Sequence, residues 1–250
     1  MPDINNDVVA ANFSRASCSY DLVAKIQKEC CYKLVAMIRE RLPHFIPASV
    51  LDIGAGTGYL TKLLLSEFPD ASFTMNDISY AMLSRAKEIV GKNVSTILGD
   101  MSKVKFPVSD LIVSSMAIHW SSNPVTVLKR VCRSSKVFAF SILVQPSLYE
   151  WNRLFHELSL PSPGLHYISS EEVELAMLDT SPTLFTWEVC NFDMRFASPR
   201  EFIRYMRQLG SNYSPDGFNA YHVRKVLKHA PGEFFSKYSV MFGVVSWPYS

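Results

Sequence analysis

The residues best suited to chemistry are a glycine loop and three carboxylates. Leu51-Asp52-Ile53-Gly54-Ala55-Gly56-Thr57-Gly58-Tyr59 lies where a short apolar run gives way to an amphipathic one, between a predicted strand and a predicted helix. Glycines at such a turn let a ligand approach the backbone closely. Asp52 stands two residues before the first glycine. Asp77 ends the next apolar run, in Thr74-Met75-Asn76-Asp77-Ile78-Ser79, and Asp100 ends the one after, in Gly99-Asp100-Met101. Ligands of open α/β sheets bind outside the carboxyl ends of strands, where the strand order reverses. Any one of these acids would pass for a solvated loop residue or a helix cap. Three at successive strand ends, behind one glycine loop, read as a single binding site. A dinucleotide fingerprint, G-x-G-x-x-G, would need glycine at position 59, which is Tyr59. Asp77 alone does not discriminate, because NAD enzymes also place an acid at the second strand end.

The elements that must position these groups alternate. Tyr20 to Arg41 carries apolar residues at helical spacing, at Val23, Ile26, Cys30, Leu34 and Met37. Strands are expected at 49–53, 72–76, 94–98, 111–115 and 137–143. Helices between them are expected at 59–68, at 80–90 behind a Ser79 cap, and at 124–131 opened by Pro124. This alternation implies an open, mostly parallel sheet with helices on both faces. The rhythm then breaks. Residues 146–181 read helical despite Pro161 and Pro163, 184–196 reads as a strand, 199–209 and 221–228 as helices, and 238–247 as a last strand. The expectation is one α/β domain over 1–250. Residues 13–42 form an amino-terminal helical cap, and 146–181 and 199–230 form a helical lid insertion on the acceptor side.

Bulk properties narrow the classes. Of 250 residues, 48% are hydrophobic and 19% charged, which suits a chain with a real core. A net charge of +2 gives no general push toward nucleic acid. Five cysteines with no C-x-x-C pair argue against a metal site or a disulfide framework. The polar segment 1–12 does not read as a signal peptide, and no apolar run reaches about eighteen residues. A cytoplasmic chain without membrane or nucleic-acid partners is expected.

The G-x-G-x-G loop led by Asp52 resembles the first motif of S-adenosylmethionine (SAM) methyltransferases. The cofactor has no pyrophosphate to cradle, but its methionine part carries an ammonium that Asp52 can hold directly or through water. The resemblance implies that Asp77 accepts both ribose hydroxyl protons. It implies that Asp100 accepts from the adenine amine while Met101 covers the ring. Gly54, Ala55, Gly56, Gly58, Asn76, Ile78, Met82, Ser115 and Met116 complete the expected cofactor site.

The flanks speak to the acceptor. Phe13-Ser14-Arg15-Ala16-Ser17 with Tyr20-Asp21 and Gln27 resembles the amino-terminal signature of the BioC family, the malonyl-acyl-carrier-protein O-methyltransferases of biotin synthesis. Weaker similarity continues in order through Ser114-Ser115-Met116-Ala117-Ile118-His119-Trp120, Phe140 to Glu150, Arg207 to Asn212 and Tyr238 to Val244. His119 stands where that family often has glutamine, and Trp151 where it has a small polar or charged residue. The resemblance implies methylation of a malonyl thioester carboxylate, carried on the carrier protein or on coenzyme A. A free carboxylate is already ionised at neutral pH, with a pKa of roughly 4, so no general base is required. Tyr20, His119 and Arg15 are the candidate catalytic residues, with Arg204 and Arg207 as further partners for the acceptor charge. A basic stretch, Arg200, Arg204, Arg207, Arg224, Lys225 and Lys228, suits an acidic carrier equally as a docking face or as solvated helix surface. Three rivals remain at this point: a methyltransferase of the same fold acting on another small carboxylate or quinone precursor, a BioC-like hydroxylase that serves as an assembly factor, and a non-catalytic SAM-binding scaffold.

Overall fold

The computed structural model describes residues 4–213, 218–230 and 232–248. Its seven strands are β1 (Ser49–Ile53), β2 (Ser72–Asp77), β3 (Ser95–Leu98), β4 (Ser109–Ser115), β5 (Ser135–Val144), β6 (Leu184–Phe196) and β7 (Phe234–Ser246). They form one sheet in the order β3-β2-β1-β4-β5-β7-β6. The first five are parallel, with Leu51 beside Thr74 and Ile112, and Val113 beside Ala139. β7 runs antiparallel between β5 and β6, with Phe140 opposite Gly243. The expected Rossmann-like sheet is therefore present.

The strands are apolar on both faces because helices cover both. Val50, Leu111, Val113, Val137 and Ala139 point to one side, where they join Cys30, Leu34, Ile38, Leu60 and Leu64. Leu51, Ile53, Ile112, Phe138 and Phe140 point to the other, against Val127, Leu128, Val131, Val173 and Met177. Each such side chain contributes roughly 1.5–3 kcal/mol on leaving water.

Ten α-helices are present among the described residues. They are α1 (Asn6–Ala16), α2 (Tyr20–Val23), α3 (Lys25–Arg41), α4 (Tyr59–Glu67), α5 (Tyr80–Val90), α6 (Pro124–Cys132), α7 (Tyr149–His156), α8 (Ser170–Leu178), α9 (Pro199–Gln208) and α10 (Ala220–His229). Ser79 caps α5 as expected, its hydroxyl accepting from the Met82 N–H at 3.2 Å. Asn123 caps α6 from the residue before Pro124. None of the helices among the described residues is long and apolar enough to cross a membrane.

Three features depart from expectation. The amino-terminal helix starts at Asn6, capped by the Asn5 side chain, and not near residue 13. The long helix expected from Tyr20 is broken at Ala24, whose ψ of 46° ends α2 before α3 begins. Between α7 and α8 the chain is not helical, as Pro161 and Pro163 within it explain. Residues 214–217 of the expected lid lie outside the described residues.

Candidate active site

The glycine loop turns out of β1 toward β2, and β4 flanks β1 on the opposite side. Gly54 has φ of +69°, and a Cβ on it would stand 2.3 Å from the Ala117 Cβ, so only glycine fits beside the loop that follows β4. Gly58 has φ of +79° and a Cβ there would meet Ala86 Cβ at 2.9 Å. It lets α4 and α5 pack closely, the task that the missing glycine at 59 would perform in a dinucleotide fold.

Asp52, Gly54, Ala55, Gly56, Asp77, Ile78, Met82, Met101, Ser115 and Met116 line one cavity. Asp52 is 1% exposed, and its Oδ2 accepts a 2.7 Å hydrogen bond from the Thr61 hydroxyl. Burial pushes its pKa up to about 7. Asp77 faces the loop directly: Oδ2 accepts from the Gly56 N–H at 2.9 Å and Oδ1 from the Ser79 N–H at 2.8 Å. Burial raises its pKa too, against the pull of those N–H groups and that of Ile78. Met116 has φ of +54°, a conformation costing roughly 1–3 kcal/mol away from glycine. Its N–H donates to both the carbonyl and the hydroxyl of Ser141, which holds it there.

Three expected cofactor residues sit elsewhere. Gly58 serves helix packing. Asn76 is fully buried, and its Nδ2 clamps the turn after β3 by donating to the carbonyls of Ile97 and Gly99 at 2.9 Å. Asp100 borders a separate cleft with Asn6, Ser122 and Arg130. Its Oδ2 accepts from Asn6 Nδ2 at 2.8 Å and its Oδ1 from the Ser102 N–H at 2.8 Å, so α1 has taken it. Met101 alone of that pair reaches the cavity.

Sequence reasoning missed several lining groups. Asp21 lines the cavity and its Oδ1 accepts from the Thr57 hydroxyl at 2.8 Å, tying α2 to the glycine loop. Lys28 Nζ donates to the Asp21 carbonyl at 2.8 Å and lies 5.2 Å over the Tyr59 ring. The signal for Asp21 was its place beside Tyr20 in the amino-terminal signature. The cavity thus presents Asp21, Asp52 and Asp77 against one lysine, which favours a cationic ligand and disfavours a pyrophosphate.

A second cavity adjoins the first. It is the larger, about 160 Å³ against about 90 Å³. Its walls come from β5, α7, the irregular segment before α8, α9 and β7, and include Leu143, Trp151, Tyr167, Phe202 and Tyr238. Phe13, Tyr20, Gln27, Met116 and Trp120 line both cavities and form the wall between them. Phe13 meets Trp120 edge to face at 5.3 Å. Tyr20 stays a neutral phenol, because enclosure raises its pKa. His119 lines the second cavity beside Trp120 and Tyr167, is 6% exposed, and among the described residues its Nδ1 has no partner. Burial lowers its pKa to about 3, so it carries no charge at neutral pH. Arg15 is placed away from both cavities. Its side chain is exposed and folds back on the Ala11 carbonyl and Asn12 Oδ1 of its own helix. Arg207 is the arginine that reaches the second cavity.

A profile described as a methyltransferase domain matches residues 50–137, from β1 into β5. The chain is 94% identical over 246 residues to a malonyl-acyl-carrier-protein O-methyltransferase of Neorickettsia risticii (strain Illinois), covering 98% of each. The chain belongs to the malonyl-acyl-carrier-protein O-methyltransferase family. A member from Chlorobium phaeovibrioides is 33% identical over 82% of this chain and 80% of its own. Outside the family, the magnesium protoporphyrin IX methyltransferase of Synechocystis PCC 6803, solved with bound S-adenosylhomocysteine (SAH), shares the fold. Its TM-score is 0.54 at 12% identity, over 88% of this chain and 83% of that one. Family membership gives the two cavities a common context: a carboxylate-lined one at the glycine loop and an aromatic one beyond a shared wall.

Proposed function

We propose that this chain transfers a methyl group from SAM to the free carboxylate of malonyl-acyl-carrier protein, an early step of biotin synthesis. The observation that carries the reading is the pair of adjoining cavities that share one wall. The acidic lining suits the cofactor: Asp52 would hold the ammonium, Asp77 the ribose hydroxyls, and Met101 would cover the adenine. When bound, the cofactor supplies an electrophilic methyl on a sulfonium. The protein's share is to align a carboxylate that is already ionised and to exclude water, which can be worth up to about 7–11 kcal/mol. Phe13, Met116 and Trp120 keep the junction dry, and the Tyr20 hydroxyl donates to the acceptor. Uncharged His119 acts as a polar wall and not as a base. The acyl arm enters through the aromatic cavity past Arg207, which takes the place expected of Arg15.

An acidic carrier protein suits the solvent-facing basic residues of α9 and α10, Arg200, Arg204, Arg207, Arg224 and Lys228. Five free thiols fit a cytoplasmic, reducing setting. The test is to incubate the protein with labelled SAM and malonyl carrier protein or malonyl-CoA, and to look for a base-labile methyl ester by mass spectrometry. Ester on the carrier supports the reading; ester on coenzyme A alone moves the acceptor to the free thioester. No ester on either, with SAM still bound, refutes it.

A further inference from the structure

His119 and Tyr167 meet in the aromatic cavity with their polar atoms unused. His119 stands in the short turn Ile118–Trp120 after β4. It lines the second cavity and not the first, with its ring 5.5 Å from that of Trp120 in the shared wall. Tyr167 lies in the irregular segment before α8, where its backbone carbonyl accepts from Gln145 Nε2 at 2.9 Å. Its ring meets the His119 ring edge to face at 6.0 Å. Among the described residues neither side chain makes a hydrogen bond, and burial alone shifts both: His119 is lowered to about 3 and the Tyr167 phenol is raised, so both stay neutral. His119 Nδ1 is sealed away, whereas Nε2 and the Tyr167 hydroxyl are not. The space these two deep groups open on is the cavity that both residues line. A proton on the sealed Nδ1 would have no acceptor, so it is assigned to Nε2. Two neutral donors without protein partners thus face one aromatic cavity, a state that calls for a ligand.

We propose that the His119 Nε2–H and the Tyr167 hydroxyl together hold the thioester carbonyl oxygen of the malonyl group. The proposal rests on the reaction put forward above. The acceptor carboxylate must meet the methyl at the shared wall. The thioester carbonyl lies two bonds behind it, on the side of the wall where His119 and Tyr167 stand. A carbonyl oxygen has two lone pairs and can accept from both donors. Neutral donors suit this place: a cation beside them would draw the carboxylate back from the wall into the cavity. Held at its carbonyl, the acyl arm points its carboxylate toward the cofactor.

The test uses Tyr167→Phe, His119→Leu and His119→Gln in the full chain. Each meets two carrier proteins, one bearing malonyl and one bearing a 2-carboxyethyl thioether, which keeps the carboxylate but has CH2 in place of the carbonyl. Neither donor has a protein partner to lose, so thermal midpoints should match wild type. A neutral hydrogen bond is worth about 0.5–1.5 kcal/mol, or about 2- to 12-fold. Tyr167→Phe and His119→Leu should each raise the malonyl-carrier KM, and its Kd measured with SAH present, by that factor. Their Kd for the thioether carrier should stay within about 1.5-fold of wild type. His119→Gln, which keeps an N–H donor, should restore most of the malonyl affinity. Equal losses on both carriers would make the two residues plain wall and overturn the proposal, as would wild-type malonyl Kd in both Tyr167→Phe and His119→Leu. A Gln variant as weak as the Leu one overturns the assignment of His119. Wild type is run alongside: SAM binding without ester there overturns the reaction and this proposal together, whereas ester from wild type with either loss pattern above overturns this proposal alone.

Discussion

Asp52→Asn separates what the buried carboxylate does for binding from what it costs the fold. Burial raises the Asp52 pKa from 3.8 to about 7. A carboxyl with a raised folded-state pKa penalises the fold as pH rises: nothing is lost below about 4, the loss grows to pH 7, and it is constant above. The displacement corresponds to roughly 4 kcal/mol at the plateau. Asparagine keeps the acceptor for the Thr61 hydroxyl and carries no charge. Allowing about half the penalty for burying an amide, Asp52→Asn should gain about 2 kcal/mol at pH 8.5, or about 4–8 °C in Tm, with the gain shrinking toward pH 4. The same titration governs the ligand. An ammonium needs the ionised carboxylate, so SAM affinity in wild type should weaken about tenfold between pH 8 and pH 6. In Asp52→Asn the affinity should fall about 10- to 150-fold at pH 8 and lose most of that pH slope, Asp77 leaving a residue of it. Thermal melts from pH 4 to 8.5 and SAM titration calorimetry at pH 6, 7 and 8 read both quantities. Wild-type affinity that is flat over this range, or an Asn variant that binds SAM normally, refutes the reasoning.

Gly54→Ala forces a Cβ to within 2.3 Å of the Ala117 Cβ at a left-handed φ, so it should cost about 2–4 kcal/mol and abolish SAM binding, as denaturant melts and calorimetry would report. Tyr20→Phe, which keeps the ring in the wall, should raise the acceptor KM about tenfold with unchanged Tm; unaltered steady-state kinetics would remove Tyr20 from the acceptor. Charge reversal at Arg224 and Lys225 should raise the carrier KM severalfold, most strongly at low salt, and leave SAM Kd unchanged; a carrier KM insensitive to both changes would clear α10 of any docking role.

Much of the fold was legible because its signals are local. β1 is a continuous apolar run that stops at a glycine, and it forms over 49–53 as read. Ser79 announces α5 by a single side chain. The start of α1 at Asn6 was missed because it is set by the Asn5 cap and by packing on α5, where Ser14 and Ser79 hydroxyls meet at 2.8 Å. The same long-range event turned Asp100 away. Its strand-end position was legible, but its partner Asn6 is 94 residues distant. Arg15 fell the same way, since spacing does not say whether a side chain points at a ligand or folds along its own helix. Gln27 was legible only as part of the amino-terminal signature. Its interest comes from standing where two cavities meet, a property of tertiary packing.

The place of β7 has a consequence for how the chain is made. β7 lies between β5 and β6 but is synthesised after both. Until it emerges, β6 has no neighbour in the sheet and β5 exposes Phe140 and Ile142 along an unfilled edge. Leu148 and Trp151, set against β7 by α7 and the turn before it, wait as well. The aromatic cavity therefore forms last, and ribosomes that stall before residue 234 release a chain with one unpaired strand and one open sheet edge, a species prone to associate with its own copies.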